Sequence, residues 1–402
     1  MGLFIYFSHK CPVKIWGLTS EERIEKVLKG TDIQRITENL DSLHDNDSVL
    51  ILRGDYLFDD RLIKYLATTP NIVLHLENGP QKSVVAANIP ASLALQALAV
   101  IEKKADIGTL PGVQVQTPAT ISIAFQEKLR KFELPFVLPI TAAGKQDLES
   151  RLFDWSYKGI TDLVTKWAWP CPAKWVVRCC VHLHIKPNHV TLIGLLLVIS
   201  AGICFARGQY GWGLLAGWLM TFLDTVDGKL ARVTVTSSKF GHYFDHLIDI
   251  IHPPIWYILW GLGLGSDQIS GMNISLTTLF YSMMIGYIIG RLIEGSFNWF
   301  LGGSFGIFCW QPIDAYFRLI TARRNPNMIF LTISFLAGRP DLGLLAVTFW
   351  TVTTTIFLLG RLTLAWRARL RTGSLRSWLS EANTPKYEQS LAVRLFARHS
   401  SK

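Results

Sequence analysis

The sequence predicts an α-helical integral membrane domain of six transmembrane helices preceded by an N-terminal cytoplasmic α/β domain. Three observations lead to it. The composition changes near residue 187 from mixed polar to strongly apolar, in a chain whose 402 residues exceed one ordinary domain. Ahead of that point short β-type runs alternate with amphipathic helical stretches. Beyond it come apolar runs such as TLIGLLLVISAGICFA (191–206), on the scale of the roughly 20 residues that cross a bilayer core.

The first domain is expected over 1–150. SVLILRGD (48–55) reads as a strand ending in Gly54-Asp55, DDRLIKYLA (59–67) as a helix start, NIVLHLE (71–77) as a second strand and SLALQALAVIEK (92–103) as an amphipathic helix. MGLFIYFSHK is only weakly apolar and is followed by Lys14 and TSEERIEK rather than a small-residue cleavage site, so this part is expected to stay in the cytoplasm. The six cysteines show no metal-ligand spacing and read as reduced, mostly buried thiols. Residues 151–186 carry four tryptophans among lysines and two arginines, the pattern of juxtamembrane helices lying at the interface, with a linker packed on the first domain as the alternative.

Six apolar stretches follow in the membrane domain, 187–370: about 188–207, 210–228, 242–264, 275–297, 326–340 and 342–366. The fifth is short unless it begins near Ile313. The net charge of +10 gathers beside apolar segments, as in Arg318/Arg323/Arg324 and the basic tail 371–402. That distribution fits a cytoplasmic excess of lysine and arginine, with both termini inside an inner membrane, and argues against nucleic acid as a partner.

The densest chemistry lies in DTVDGKLARVTVTSSKFGHYFDHLID (224–249). Asp224 and Asp227 are three apart and Asp245 and Asp249 four apart, so on helices each pair shares a face, with Gly241 one turn before Asp245. Two antiparallel helices joined at VTVTSSKF would bring the four carboxylates into one pocket. Enclosing them unpaired costs several kcal/mol each, so something positive must sit among them. Oxygen-only donors suit Mg2+ or Mn2+, with two ions expected; pairing of the acids with Lys229, Arg232 and Lys239 is the competing reading.

Written as D-x2-D-G-x2-A-R-x8-G-x3-D-x3-D, the segment resembles the signature of the CDP-alcohol phosphatidyltransferase family, and eight such fixed positions recur by chance about once in 10^10 starts. Members are membrane enzymes that move a substituted phosphate from a CDP-linked donor to an alcohol and release CMP. The resemblance implies their fold, a CDP-alcohol or CDP-diacylglycerol donor, an alcohol or phosphorylated alcohol acceptor, contact with membrane lipid and a homodimer. It implies that Asp224, Asp227, Asp245 and Asp249 bind metal, with Asp249 as general base. Asp227, Gly228, Ala231, Arg232 and Gly241 would face the cytidine diphosphate. Pro187-Asn188 and Thr191 resemble the family's PN-x2-T element, which makes Asn188 or Thr191 a polar group near the nucleotide or a helix cap.

The front of the chain is similar to a shortened, degenerate nucleotidyltransferase domain of the kind fused to the membrane half in bifunctional inositol-phosphate cytidylyltransferase/di-inositol-phosphate-phosphate synthases. LILRGDYLFDDRLI, LRKFELPFVLPIT (129–141) and LFDWSYKGITDLVTKW (152–167) carry that likeness. The Gly-rich phosphate loop of such domains has no counterpart in MGLFIYFSHKCPVKIWG, so a scaffold or regulatory role is expected there. For the acceptor, Arg323 and Arg324 ahead of the fifth span and Arg291 within the fourth are the candidate phosphate holders, with positive-inside anchoring and an Arg291–Glu294 ion pair as alternatives. His242, His246 and His252 read as polar helix positions or as metal or base groups. A catalytically inactive membrane scaffold, and a bifunctional enzyme that keeps cytidylyl transfer, remain the other readings of the whole chain.

Overall fold

The computed structural model describes residues 2–30, 33–44, 46–78, 81–121, 125–126, 129–237, 239–303, 305–387 and 389–397. The chain divides into two compact units, residues 1–126, 133–155 and 233–235 in one and 127–132, 156–232 and 236–402 in the other.

The first unit is built on β1 (Leu3–Ser8), α1 (Ser20–Leu28), β2 (Ile33–Ile36), β3 (Ser48–Arg53), β4 (Tyr56–Phe58), α2 (Asp60–Thr68), β5 (Ile72–Asn78), β6 (Gln81–Pro90), α3 (Ala94–Ile101), β7 (Gln114–Gln116), α4 (Pro118–Ile121), β8 (Phe125–Gln126), β10 (Val137–Pro139) and α5 (Lys145–Trp155). Six strands form a mixed sheet in the order β2-β1-β3-β6-β5-β7, with β6 antiparallel to both neighbours and the other pairings parallel. The run in β3 is apolar at consecutive positions because the strand is central and covered on both faces. Leu50 and Leu52 pack with Ile24, Leu62 and Leu66 of α1 and α2, while Val49 and Ile51 pack with Ala97 and Ile101 of α3. The strand-helix alternation read from 48–103 is therefore present, each element within two residues of its expected start.

Gly54, after β3, is hemmed in: a Cβ there would meet the His9 carbonyl oxygen and Lys10 Cα, each at 3.3 Å. The segment following β1, where an open phosphate loop would lie, is instead pinned by Trp16, whose indole is 2% exposed and donates to the Glu149 carbonyl at 2.8 Å. Asp55, the metal candidate of a nucleotidyltransferase, is held by Arg53 through bonds of 2.9 and 2.5 Å.

The second unit begins with β9 (Lys131–Phe132), then a π-helical turn Val164–Ala168 and α6 (Pro170–His182). The bundle comprises α7 (Pro187–Ala206), α8 (Tyr210–Val233), α9 (Lys239–Leu262), α10 (Leu276–Ser296), α11 (Pro312–Ile320), α12 (Arg324–Leu336) and α13 (Pro340–Thr372). Among the described residues, three helices are long and apolar enough to cross a membrane: α7, α10 with its extension to Gly302, and α13. Helices α8, α9 and α12 pack with them around Phe205, Leu214, Trp256, Met283, Leu331 and Val347. Small residues permit close approach, as expected where lipid supplies no hydrophobic drive between helices. Thr355 of α13 bonds the Gly286 carbonyl of α10 at 2.7 Å, and a Cβ on Gly290 would come within 3.2 Å of the Thr355 hydroxyl.

The fifth stretch does not begin near Ile313. The helix breaks at residues 321–323, and α12 has 13 residues, about 20 Å of helix. Pro326 lies in its first turn, where the missing N–H would be unpaired anyway. Two other expectations change. Only Cys180 and Cys309 of the six thiols are buried, and Cys171 is exposed. The basic tail is not a bare extension: Ser377 bonds the Cys309 carbonyl at 2.6 Å, and Trp378, Leu379, Val393 and Phe396 are buried.

Because Trp378 is 2% exposed, Trp378→Ala is expected to destabilise the detergent-solubilised protein by about 3–5 kcal/mol. An unaltered melting temperature would show that the tail is not part of the folded core.

Candidate active site

Asp224 and Asp227 share a face of α8, and Asp249 lies on α9. Asp224 and Asp249 both add to the negative charge felt at Asp227. A fourth element enters with them. Arg324, the first residue of α12, donates Nη1–H to Asp249 Oδ1 at 2.5 Å and Nη2–H to Asp224. Thr191, in the first turn or so of α7, donates to Asp227 Oδ2 at 2.7 Å while also contacting the Pro187 carbonyl at 3.1 Å. Asp227 is buried, whereas the Asp249 side chain is 37% exposed and the most accessible of the three.

The backbone of α9 is adapted below Asp249. Pro253 and Pro254 lie inside the helix and remove the N–H groups that would bond the carbonyls of Asp249 and Ile250. The Tyr287 hydroxyl of α10 donates to the Ile250 carbonyl at 2.7 Å and so replaces one of them. His252 turns its Nδ1 to the Ile248 carbonyl at 2.7 Å, away from the acids. With Leu195, Val198, Gly202, Ile255 and Trp256 it also lines an apolar hollow of about 460 Å³ between α7 and α9.

The remaining expected residues fall in several places. A Cβ built on Gly228 would meet Arg232 Nη2 alone, at an ordinary contact distance of 3.7 Å. Arg232 and Lys229 both donate to the Ser156 carbonyl, at 2.9 and 3.1 Å, and Lys229 Nζ sits 3.2 Å from the Tyr157 ring centre. Ala231 continues α8 and Gly241 lies in the first turn of α9. Asn188 is exposed in the first turn of α7 and is not its cap, a position taken by Lys186. The side chains of Asp245, His242 and Lys239 lie outside the described residues.

The three arginines expected to hold an acceptor phosphate separate into two groups. Arg291 and Arg323 both pair with Glu294, the former at 2.6 Å, while Arg324 serves the aspartates. Sequence reasoning missed the charges beside them. Asn325 donates to Asp162 at 2.9 Å, which ties the juxtamembrane turn to the start of α12. Burial works against the Asp162 carboxylate, yet Arg318 and bonds from Thr165 and Asn325 hold it below the usual range. Burial, then repulsion from Arg323, lowers Arg318 to about 9. Burial also lowers Lys158 to about 8, reinforced by Arg130, Arg232 and Arg318. Lys158 is itself solvent-exposed, although protein crowds it. A usable signal for Arg318 existed: α11 is inverted, with Ile313 and Ile320 exposed and Asp314, Ala315 and Arg318 inside.

The donor set fits a hard divalent cation. It offers carboxylate and hydroxyl oxygens only, and a guanidinium cation is already held between Asp224 and Asp249. Among the described residues no three acidic, imidazole or thiol groups close on a single point, and Asp245 stands outside that set.

Residues 184–299 match the CDP-alcohol phosphatidyltransferase family. The matched segment runs from α7 through α10. It is 34% identical over 119 residues to the archaetidylinositol phosphate synthase of Pyrococcus horikoshii, which covers 29% of this chain and 60% of that protein. It is 30% identical over 111 residues to the phosphatidylinositol phosphate synthase of Streptomyces avermitilis, 27% of this chain and 45% of the relative. With the bifunctional IPC transferase and DIPP synthase of Thermococcus kodakarensis it shares 27% over 170 residues, 38% of this chain and 32% of the other. The chain thus spans about half the length of the curated relatives it matches.

Removing Arg324 leaves two enclosed carboxylates facing each other. Arg324→Met is expected to cost about 2–3 kcal/mol in EDTA, less than a fully buried pair because Asp249 is 37% exposed. Mg2+ should restore part of the lost melting temperature; a variant as stable as the parent in EDTA would contradict the charge-pairing role.

Proposed function

We propose that the protein transfers a substituted phosphate from a CDP-linked donor to an alcohol acceptor, releasing CMP, with a divalent metal held by Asp224, Asp227, Asp245 and Asp249. The observation that carries this reading is that two carboxylates of the matched segment, Asp224 and Asp249, close on one cation, Arg324, with Asp227 on the same face of α8 as Asp224. A bound Mg2+ or Mn2+ would neutralise charge on the diphosphate as CMP departs.

The chain's own groups divide the remaining work. Thr191 fixes the rotamer of Asp227 through its 2.7 Å bond, so that carboxylate is pre-oriented rather than free to turn. The uncrowded face at Gly228 gives the nucleotide access to the α8 backbone, and Arg232, anchored on the Ser156 carbonyl, stands at that face with donors for a phosphate oxygen. Asp249, the most accessible acid, accepts the acceptor hydroxyl's proton at a carboxylate oxygen. The apolar hollow between α7 and α9, one turn from Asp249 at His252, suits an acyl or isoprenoid chain and favours a lipid among the substrates. The relatives' names, archaetidylinositol phosphate and phosphatidylinositol phosphate synthase, support a lipid-linked donor and a polyol acceptor. The six-span arrangement with the acids at the cytoplasmic edge belongs to the same proposal.

The test is CMP release by full-length protein given CDP-diacylglycerol or CDP-alcohol donors, candidate alcohols and Mg2+. Asp249→Asn should lower the rate about 10^2–10^4-fold, and chelation should abolish it. Undiminished activity in Asp249→Asn would sink the assignment. Thr191→Val should weaken Mg2+ binding about 10-fold, read as a raised half-saturating Mg2+ concentration; an unchanged value would remove Thr191 from the site.

A further inference from the structure

The turn that follows α8 belongs by its packing to the first unit: residues 233–235 group with 1–126 and 133–155. The last turn of a helix leaves its carbonyls without intrahelical donors, and burial removes water as a substitute. Val233, the last residue of α8, is fully buried. Its carbonyl accepts from Nη1 of Arg23 at 2.8 Å, and the Thr234 carbonyl accepts from Lys26 Nζ at 3.3 Å. The Thr236 amide closes the turn on the Ala231 carbonyl at 2.9 Å. Two cations of α1 thus stand at the end where the helix dipole is negative.

Arg23 is a costly residue to bury. It is 4% exposed, and among the described residues its Nε has no hydrogen-bond partner. Burial pulls it below the ordinary arginine range against the opposing charges of Asp60 and Asp59, and Asp59 is itself taken by Arg61 at 3.0 and 2.7 Å. Its guanidinium instead serves a carbonyl 210 positions away in the chain. Close to that carbonyl a β-branched residue holds a backbone state it rarely takes. Val235 has φ +51°, in the left-handed region, and packs against the core cluster that includes Ile24 and Val27 of α1 and Leu62 of α2. Such strain persists where the surroundings over-determine it, and here an apolar anchor and a charged hydrogen bond fix the same three residues.

We propose that Arg23 is a positioning residue for the transfer site: with Val235 it clamps the end of α8 and so directs Arg232, the residue immediately before Val233. Arg232 adjoins the clamped carbonyl, whereas Asp224 lies about two and a half turns back along α8. The clamp therefore bears on the nucleotide and leaves the metal-holding acids alone. It gives the front of the chain a part in the reaction that needs no phosphate loop and no nucleotide of its own. This consequence rests on the transferase reading, but the clamp itself is measured without turnover.

Hydrogen exchange is followed on the full-length protein in detergent, beside CMP titration and melting in graded Mg2+. Arg23→Met is expected to speed exchange of the Thr236 amide about tenfold and to weaken CMP by a similar factor, with the Mg2+ response of the parent. Arg23→Lys keeps a donor for the carbonyl and should restore most of both. Val235→Gly is the second variant: glycine takes φ +51° without strain, so the turn stays available while its apolar anchor is lost, and the same two changes are expected. Parental exchange in both Arg23→Met and Val235→Gly would overturn the clamp. So would faster exchange with parental CMP affinity, or equal losses of CMP and Mg2+ binding, the mark of a general loosening. If exchange quickens and CMP weakens while no CDP-linked donor yields CMP in the parent, the clamp stands and the transferase reading falls. If the parent turns over a CDP-linked donor and Arg23→Met does so at the same KM, the transferase reading stands and the clamp falls.

Discussion

The membrane half is organised by one electrostatic constraint: acids placed on α8 and α9 close enough to repel must be given a cation. Arg324 meets it by bridging Asp224 and Asp249. It does so as the first residue of α12, just after the break at 321–323. Breaking such a pair by removing one partner is far costlier than never having built it, which ties the loop, the helix start and the acids into one unit.

Around that unit the chain repeats a second device, in which a side chain takes over a backbone duty. Tyr287 supplies the donor that Pro254 withholds from Ile250, and Ser156 offers its carbonyl to two cations of α8. In each case the polar group that regular structure would leave unpaired is satisfied from another element. These contacts hold α9 and α10 in register and fasten the juxtamembrane turn to α8.

Much of this was legible in the sequence, because it is written in local spacing. Period-two and period-3.6 patterns gave the sheet and its flanking helices, and the offsets among Asp224, Asp227 and Asp249 gave a shared face on α8 and an approach from α9. Partners distant in sequence were harder to read. Arg323 and Arg324 are adjacent in the chain, yet Arg323 is the extended N-cap and Arg324 the first residue of α12, so one meets Glu294 and the other the aspartates. Lys158 carries no pattern at all; the cations that act on it, Arg130 and Arg318 among them, lie far from it in sequence. The ordered tail was hidden for a similar reason, since its arginines obscured a buried Trp378, Leu379 and Phe396.

That tail has a consequence for how the protein is made. Ser377 bonds the Cys309 carbonyl and Phe396 packs on the turn at Gly159, and both are synthesised after every bundle helix. The turn carrying Lys158 therefore gains its contact with Phe396 only after the bundle helices have been made, so its final seating follows theirs in time.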